Sequence, residues 1–473
     1  MAASIEARIE SLERCLVDTS TGGEAGLRGR MVHYAVPGAA LALIVDREVV
    51  LERGYGVQEA GRSDPVTATT RFQACSISKP VAVLGMLRLV ERGVLDLDVD
   101  VNDLLGSWQV PPNASWQPRI TLRQIASHSA GLTVSGFPGY RSDARLPTLT
   151  QILTGSAPAN TPGVRVDTFP GVQFRYAGGG TMVLQQVLED VTERPFRELM
   201  HDLVLGPLGM TRSDYAQPLP RELHTAAATA HYSDGTPVRG GWRVYPELAA
   251  AGLWTTPGDL ARYAIAVQRA CRGMTDAILG AELTERMLTP QIRSIHRLGG
   301  LDSIGLGLFL GGQPEPTYFG HSGGNQGFKC HLLAHRDAGN GAVVMTNGDG
   351  GHALVHEILN ALGREMEWPD YEAAEPPENT QMGVALDPFT GVYELRSDAR
   401  VSVSRDGDYL CVHVPGQRAA RFVRLSETEF ASVALDTTLT FSRAADERVT
   451  ELILHQNGDE LSCRRIDGAA VGR

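Results

Sequence analysis

Strand-like apolar runs stand near both ends of the first 365 residues, and helical patterns fill most of the chain between them. Near the start, "PGAALALIVDREVVLERGYG" (37–56) reads as two strands around a polar turn, Asp46-Arg47-Glu48. The matching runs, "GLGLFLGG", "KCHLLAHRD" and "GAVVMTNGD", come only at 305–349, separated by glycine-rich turns, and a helix over roughly 351–364 follows. A lone hairpin cannot bury its faces, so both ends must contribute to one antiparallel sheet. The middle packs on that sheet as a helical subdomain, with "GTMVLQQVLEDVTERPFRELM" (180–200) its clearest helix pair.

The pattern changes after an acidic, proline-rich linker at about 366–386. From 387 to 473 come short alternating runs broken by Asp-Gly and Asn-Gly, which predict a small antiparallel barrel or sandwich. The expected organisation is an α/β domain over 1–365, the linker, and a β-domain over 387–473.

Several classes of partner are disfavoured. Net charge is −12 with no basic run, which argues against nucleic acid. No stretch approaches the ~20 apolar residues of a membrane span. The N-terminal "MAASIEARIESLERCLVD" reads as an amphipathic helix and lacks the apolar core of a signal peptide. The six cysteines are dispersed without a CxxC pair, so neither a zinc site nor a disulfide framework is expected. A reduced, cytoplasmic setting fits these features.

The chain holds only two lysines, Lys79 and Lys329; every other basic side chain is arginine. Arginine cannot be deprotonated in a protein, whereas a desolvated lysine can act as a base. Lys79 lies three residues after Ser76 in "FQACSISKPVAVLGMLRLVERG" (72–93), at the head of a helix apolar nearly all round, with Gly93 placed to end it. Positions i and i+3 share one helix face, so the amine can stand beside the hydroxyl. The helix start adds unpaired N–H groups that can hold an oxyanion.

Two further stretches carry chemistry. Tyr176 precedes a glycine run and a helix in "GVQFRYAGGGTMVLQQ", and His321-Ser322-Gly323-Gly324 leads into a strand in "FGHSGGNQGFKC". "GHSGG" also matches the G-x-S-x-G nucleophile elbow, which would make Ser322 the nucleophile. That elbow needs a strand, a turn and then a helix, and a strand-like run follows here instead. His128 reads as a loop buttress and Cys75 as a small buried residue. Lys329 either borders the pocket or is a chance survivor.

The order Ser76-x-x-Lys79, then Tyr176, then His321-Ser322-Gly323 resembles the penicillin-recognising serine hydrolases. The similar branch holds class C β-lactamases, D-Ala-D-Ala carboxypeptidases, D-aminopeptidases and family VIII carboxylesterases. "HSAGLT" (128–133) and "AAAGLWTTPGDLARY" (249–263) resemble segments flanking that site. The resemblance implies a β-lactamase/transpeptidase-like fold over roughly 25–365, followed by a lipocalin-like β-domain. It implies that Ser76 attacks an ester or amide carbonyl while Lys79 and Tyr176 remove and relay its proton. The N–H groups of Ser76 and Gly324 would form the oxyanion hole, with Gly178, Ser322 and Gly323 lining the substrate. No metal or organic cofactor is implied.

Two positions depart from the family pattern. Gly178 replaces an asparagine that holds the substrate's amide side chain, which either widens the pocket or leaves a gap for another side chain. His321 replaces a lysine; it is expected to titrate near neutral pH, and to bind a substrate carboxylate or hold Tyr176. Both changes point to an esterase or a D-amino-acid amidase or peptidase, with weak β-lactam activity at most. The alternatives are an acyltransferase or penicillin-binding-protein-type thioesterase on the same scaffold, and a non-catalytic acylated sensor or ligand-binding protein. The partner is a small acyl ester or amide; the sequence does not fix the oligomeric state.

Overall fold

The computed structural model describes residues 7–11, 17–18, 23–24, 26–298, 301–312, 315–371, 385–396, 399–414, 419–432, 437–444, 446, 448–456 and 459–466. The chain divides between residues 373 and 374 into two compact units. Much of the expected linker (372–384) lies outside the described residues. Of the expected N-terminal helix, residues 7–11 are helical, but Val17–Asp18 pair with Gly23–Glu24 as a short hairpin instead of extending it.

In the first unit, strands β1 (Gly38–Val45) and β2 (Glu48–Gly56) form a hairpin whose turn residues Asp46 and Arg47 take φ of 51° and 65°. The remaining strands are β3 (Ile292–Leu298), β4 (Leu301–Ile304), β5 (Phe309–Gly311), β6 (Tyr318–Asn325), β7 (Phe328–His335) and β8 (Gly341–Thr346). They make one eight-stranded antiparallel sheet in the order β2-β1-β8-β7-β6-β5-β4-β3. The join between chain ends is the β1–β8 pairing, Ala39 opposite Thr346 through Ile44 opposite Gly341. β1 is buried along nearly its whole length, as its unbroken apolar run requires with both faces covered.

Helix α1 (Gly26–His33) packs with α6 (Gly351–Glu365), while α5 (Pro257–Cys271) crosses β1, β2, β7 and β8. α5 starts at a Thr256 cap with Pro257 in its first turn. Deep in the helical layer lie α2 (Ser78–Glu91), α3 (Gly178–Thr192) and the short α4 (Leu248–Ala251). α2 is buried on nearly every side and stops at Gly93 (φ 71°), where Val94 N–H reaches Leu89 O and Gly93 N–H reaches Val90 O.

Two strand expectations change. "GLGLFLGG" is a strand only over Phe309–Gly311. Gly307 turns with φ of 81° so closely over α2 that a Cβ there would lie 2.8 Å from Val83. The β3–β4 hairpin was not anticipated, because "IRSIHRL" carries the charges of an edge strand and no apolar run.

In the second unit, eight sequential antiparallel strands from Gly391–Arg396 to Asp459–Arg465 close into a barrel. Its interior is filled by buried side chains such as Tyr393, Val401, Leu410, Phe422, Leu439 and Leu452. Phe389 is fully buried among them, edge-on to Phe430 and tilted against Phe441.

Lys329 has a structural task at the turn between β6 and β7. Its Nζ donates to Asp349 Oδ1 (2.8 Å) and Asn325 O (2.9 Å), and Asp349 also accepts from Gly327 N and Gln326 Nε2. The aspartate side chain is only 5% exposed, so removing its cation strands a charge. Lys329→Met is expected to lower stability by about 2–3 kcal/mol, since Lys329 itself is partly solvated, as measured by urea unfolding.

Candidate active site

Ser76 sits in a single 3₁₀ turn, Cys75–Ile77, that runs directly into α2. Cys75 holds φ of 52°, a left-handed value that a non-glycine residue adopts only when its surroundings impose it. Those surroundings are the 250–254 segment and Tyr215. Ala74 N donates to Leu253 O, Ser78 Oγ donates to Cys75 O (2.6 Å) and accepts from Leu253 N, and the buried Tyr215 hydroxyl donates to Ser78 O. The turn is thus fixed from both sides and presents a half-buried Ser76.

Lys79 is 4% exposed and donates to Ser76 Oγ at 3.0 Å and to Ala250 O at 2.9 Å. Its Nζ also lies 5.0 Å from the centre of the Tyr176 ring, within cation–π range. Tyr176 is half-buried and held face-on: His128 stacks at 4.3 Å and Phe309 lies parallel at 6.4 Å. His128 Nδ1 accepts from Ala177 N, the residue after Tyr176, which makes it the buttress expected of it. Among the described residues the Tyr176 hydroxyl makes no hydrogen bond.

Strand β6 brings the third motif alongside. Gly323 touches the nucleophile turn so closely that a Cβ would stand 2.6 Å from Ala74 O and 2.5 Å from Cys330 Sγ. Next to it Gly324 is exposed, and Asn325 Nδ2 donates to the Oε1 of buried Gln73 (2.8 Å) and to Ala251 O. Ser322 is half-buried within the strand, opposite His331. β7 follows it after the Gln326–Gly327 turn, so no helix completes an elbow at Ser322.

His321 corrects the expectation of a group titrating near neutrality. It is 1% exposed, and burial together with the nearby Lys79 charge pushes its pKa down to about 3. Its Nδ1 lies 2.5 Å from Ser322 O, which can only accept, so Nδ1 carries the proton. Nε2 is then a buried lone pair with no hydrogen-bond partner among the described residues. The same two causes hold His128 well below the usual imidazole range. Lys79 is therefore flanked by neutral rings.

Gln73, Asn325 and the Ala250 carbonyl were not singled out from sequence. A main-chain acceptor leaves no sequence signal, though 250 falls inside the flanking segment noticed there. Glu247 was missed as well: at the head of α4, it is fully buried, and neither carboxylate oxygen has a hydrogen-bond partner among the described residues. Burial raises its pKa to about 8. Among the described residues no group of acidic, histidine or cysteine side chains is arranged to hold a metal, and no helix is long and apolar enough to cross a membrane.

The profile of the family described as "Beta-lactamase" matches residues 16–363. The chain belongs to the beta-lactamase family. Among curated relatives, a D-aminopeptidase of Gluconobacter oxydans (strain 621H) is 26% identical over 391 residues, covering 77% of this chain and 64% of that protein. Protein flp of Staphylococcus aureus (strain N315) is 24% identical over 225 residues, covering 47% of this chain and 42% of flp. The chain thus spans less than two thirds of either relative. Among solved structures, the octameric penicillin-binding protein homologue from Pyrococcus abyssi superposes with a TM-score of 0.65 at 21% identity, covering 93% of this chain and 98% of that one. The D-alanine carboxypeptidase AmpC from Burkholderia cenocepacia gives 0.54 at 21% identity, covering 70% and 95%. The fold is therefore that of the beta-lactamase family's serine hydrolases.

The Glu247 carboxyl gives this family member a defined pH response. Unfolded, it ionises near 4.5; folded, it stays protonated up to about 8. Folding takes up a proton between those values, so this group's share of stability is full below 4.5 and is lost as pH rises to 8. The stability of Glu247→Gln relative to wild type is expected to rise across that range by on the order of 4 kcal/mol. Denaturant unfolding at several pH values measures the difference; a constant offset contradicts a buried neutral carboxyl.

Proposed function

We propose that the protein hydrolyses ester or amide bonds of a small acyl substrate through an acyl-enzyme on Ser76. The observation that carries this reading is the Lys79 amine, 3.0 Å from Ser76 Oγ and anchored on Ala250 O. In the neutral amine one N–H stays on that carbonyl while the lone pair takes the Ser76 proton. Oγ then bonds to the substrate carbonyl carbon, whose π electrons move onto oxygen.

The N–H groups of Ser76 and Gly324 are the donors for that oxyanion, each worth ~3 kcal/mol in comparable sites. When the carbonyl reforms, the bond to the leaving group breaks and the leaving group receives the proton from Lys79, with Tyr176 as relay. Water then attacks the ester, gives its proton to the same pair, and releases acid and free Ser76. His321 Nε2, as an acceptor, suits the Tyr176 hydroxyl or a substrate N–H or O–H. It does not suit a carboxylate, which needs a donor.

With no lysine at 321 and no asparagine at 178, the site favours esterase or D-amino-acid amidase or peptidase chemistry, with weak β-lactam turnover at most. The Gluconobacter relative's name supports the amidase side of that pair. Intact-mass spectrometry after incubation with p-nitrophenyl acetate is expected to show a single acyl adduct with burst release of nitrophenol. Ser76→Ala is expected to lose both. An unchanged burst in that variant rules out Ser76 as the nucleophile. Product trapped by an added amine in preference to water would make the enzyme an acyltransferase.

A further inference from the structure

The glycine at 178 leaves no gap. A Cβ built there would lie 2.9 Å from Phe137 Cε2 and 3.1 Å from Ser135 O, so the ring and that carbonyl already fill the space a side chain would take. The segment leading to Phe137 turns at Val134 (φ 67°) and crosses the first turn of α3. There Gly178 N donates to Ser135 O (3.1 Å) and Gly179 N to Val134 O (2.9 Å). Two of the helix's free N–H groups are thereby used up, and they no longer offer a polar surface for a ligand.

Gly179 and Gly180 serve the same crossing: a Cβ at 179 would stand 2.5 Å from Thr133 O, and one at 180 would press on Leu132. Phe137 itself is only half-buried and packs on the main core. Two residues before Gly178, the Tyr176 ring continues an aromatic row through Phe309 to Phe174 (6.0 Å). The nearest side-chain cation of this loop, Arg175, is engaged by Asp167.

We propose that Phe137 is a specificity-determining residue: seated over Gly178, two residues along the chain from Tyr176, it selects substrates whose group at that wall is apolar and uncharged. This rests on the reading of Ser76 as an acylated nucleophile. Wherever a polar side chain on α3 or its bare N-terminus would hydrogen-bond a substrate amide or carboxylate, the chain presents an aromatic face. A charged or amide-bearing group there would be desolvated against the ring, which offers it no hydrogen bond.

The test compares wild type, Phe137→Ala, Gly178→Asn and the double variant on acetyl, butyryl, hexanoyl and N-acetylglycyl esters, each with p-nitrophenyl and naphthyl leaving groups. Thermal unfolding accompanies each protein, and Phe137→Leu replaces the alanine variant if that one does not fold. For Phe137→Ala, kcat/KM for the longest alkyl group is expected to fall at least about tenfold more than for acetyl, or ~1.4 kcal/mol. Gly178→Asn alone collides with the ring and is expected to lose activity and stability. In the double variant the collision is relieved, acylation returns, and the ratio of N-acetylglycyl to hexanoyl turnover rises about tenfold or more. Equal losses for every ester in Phe137→Ala, or a Gly178→Asn defect that Phe137→Ala does not relieve, overturn the proposal. If wild type forms no adduct on Ser76 even with the acetyl ester, the acyl-enzyme reading fails and this inference falls with it; normal acylation with a flat chain-length response sinks the inference alone.

Discussion

Strand β6 can lie against the nucleophile turn only because residue 323 has no side chain. That contact, backbone to backbone between Gly323 and Ala74, sets the position of everything else on the strand. It seats His321 near Tyr176, leaves Gly324 open beside Ser76, and lets Asn325 reach Gln73 just before the turn. The strained Cys75 conformation and the bonds from Leu253, Ser78 and Tyr215 hold the other side. The proposed acylation needs this kind of support, because a small displacement of Ser76 would separate it from both Lys79 and Gly324.

Around that frame the site is unusually poor in charge. Lys79 is the buried amine at its centre, and the two imidazoles beside it stay neutral. The N-terminal turn of α3 is closed off by the Val134 and Ser135 carbonyls. On the proposed reading, a neutral, aromatic-walled pocket around Ser76 would take uncharged acyl groups without the desolvation cost that a carboxylate would incur there.

The sheet shared by the chain's two ends was legible because its central strands carry unbroken apolar runs, whereas the charged β3–β4 edge left no such trace. Ser76 and Lys79 were legible for two independent reasons, their spacing and the near absence of lysine elsewhere. The place of His321 could be read from motif order, but its charge could not. That depends on burial and on the Ser322 carbonyl, both products of tertiary packing. In the same way the missing asparagine was visible at 178, while the ring that replaces it lies in a loop some forty residues earlier. Glu247 looked like an ordinary helix-start carboxylate, which in most proteins is solvated.

The β1–β8 pairing joins Ala39 to Thr346, so the sheet closes only after the whole helical middle has been made. Contacts this distant in sequence are formed late and slowly, and chains of this size fold through intermediates. Ser76 leaves the ribosome long before β6, and until β6 is paired the serine has no strand to complete its pocket. On the role proposed for Ser76, the newly made polypeptide therefore carries that serine in an inert form, and chemical competence arrives together with the last strands of the domain.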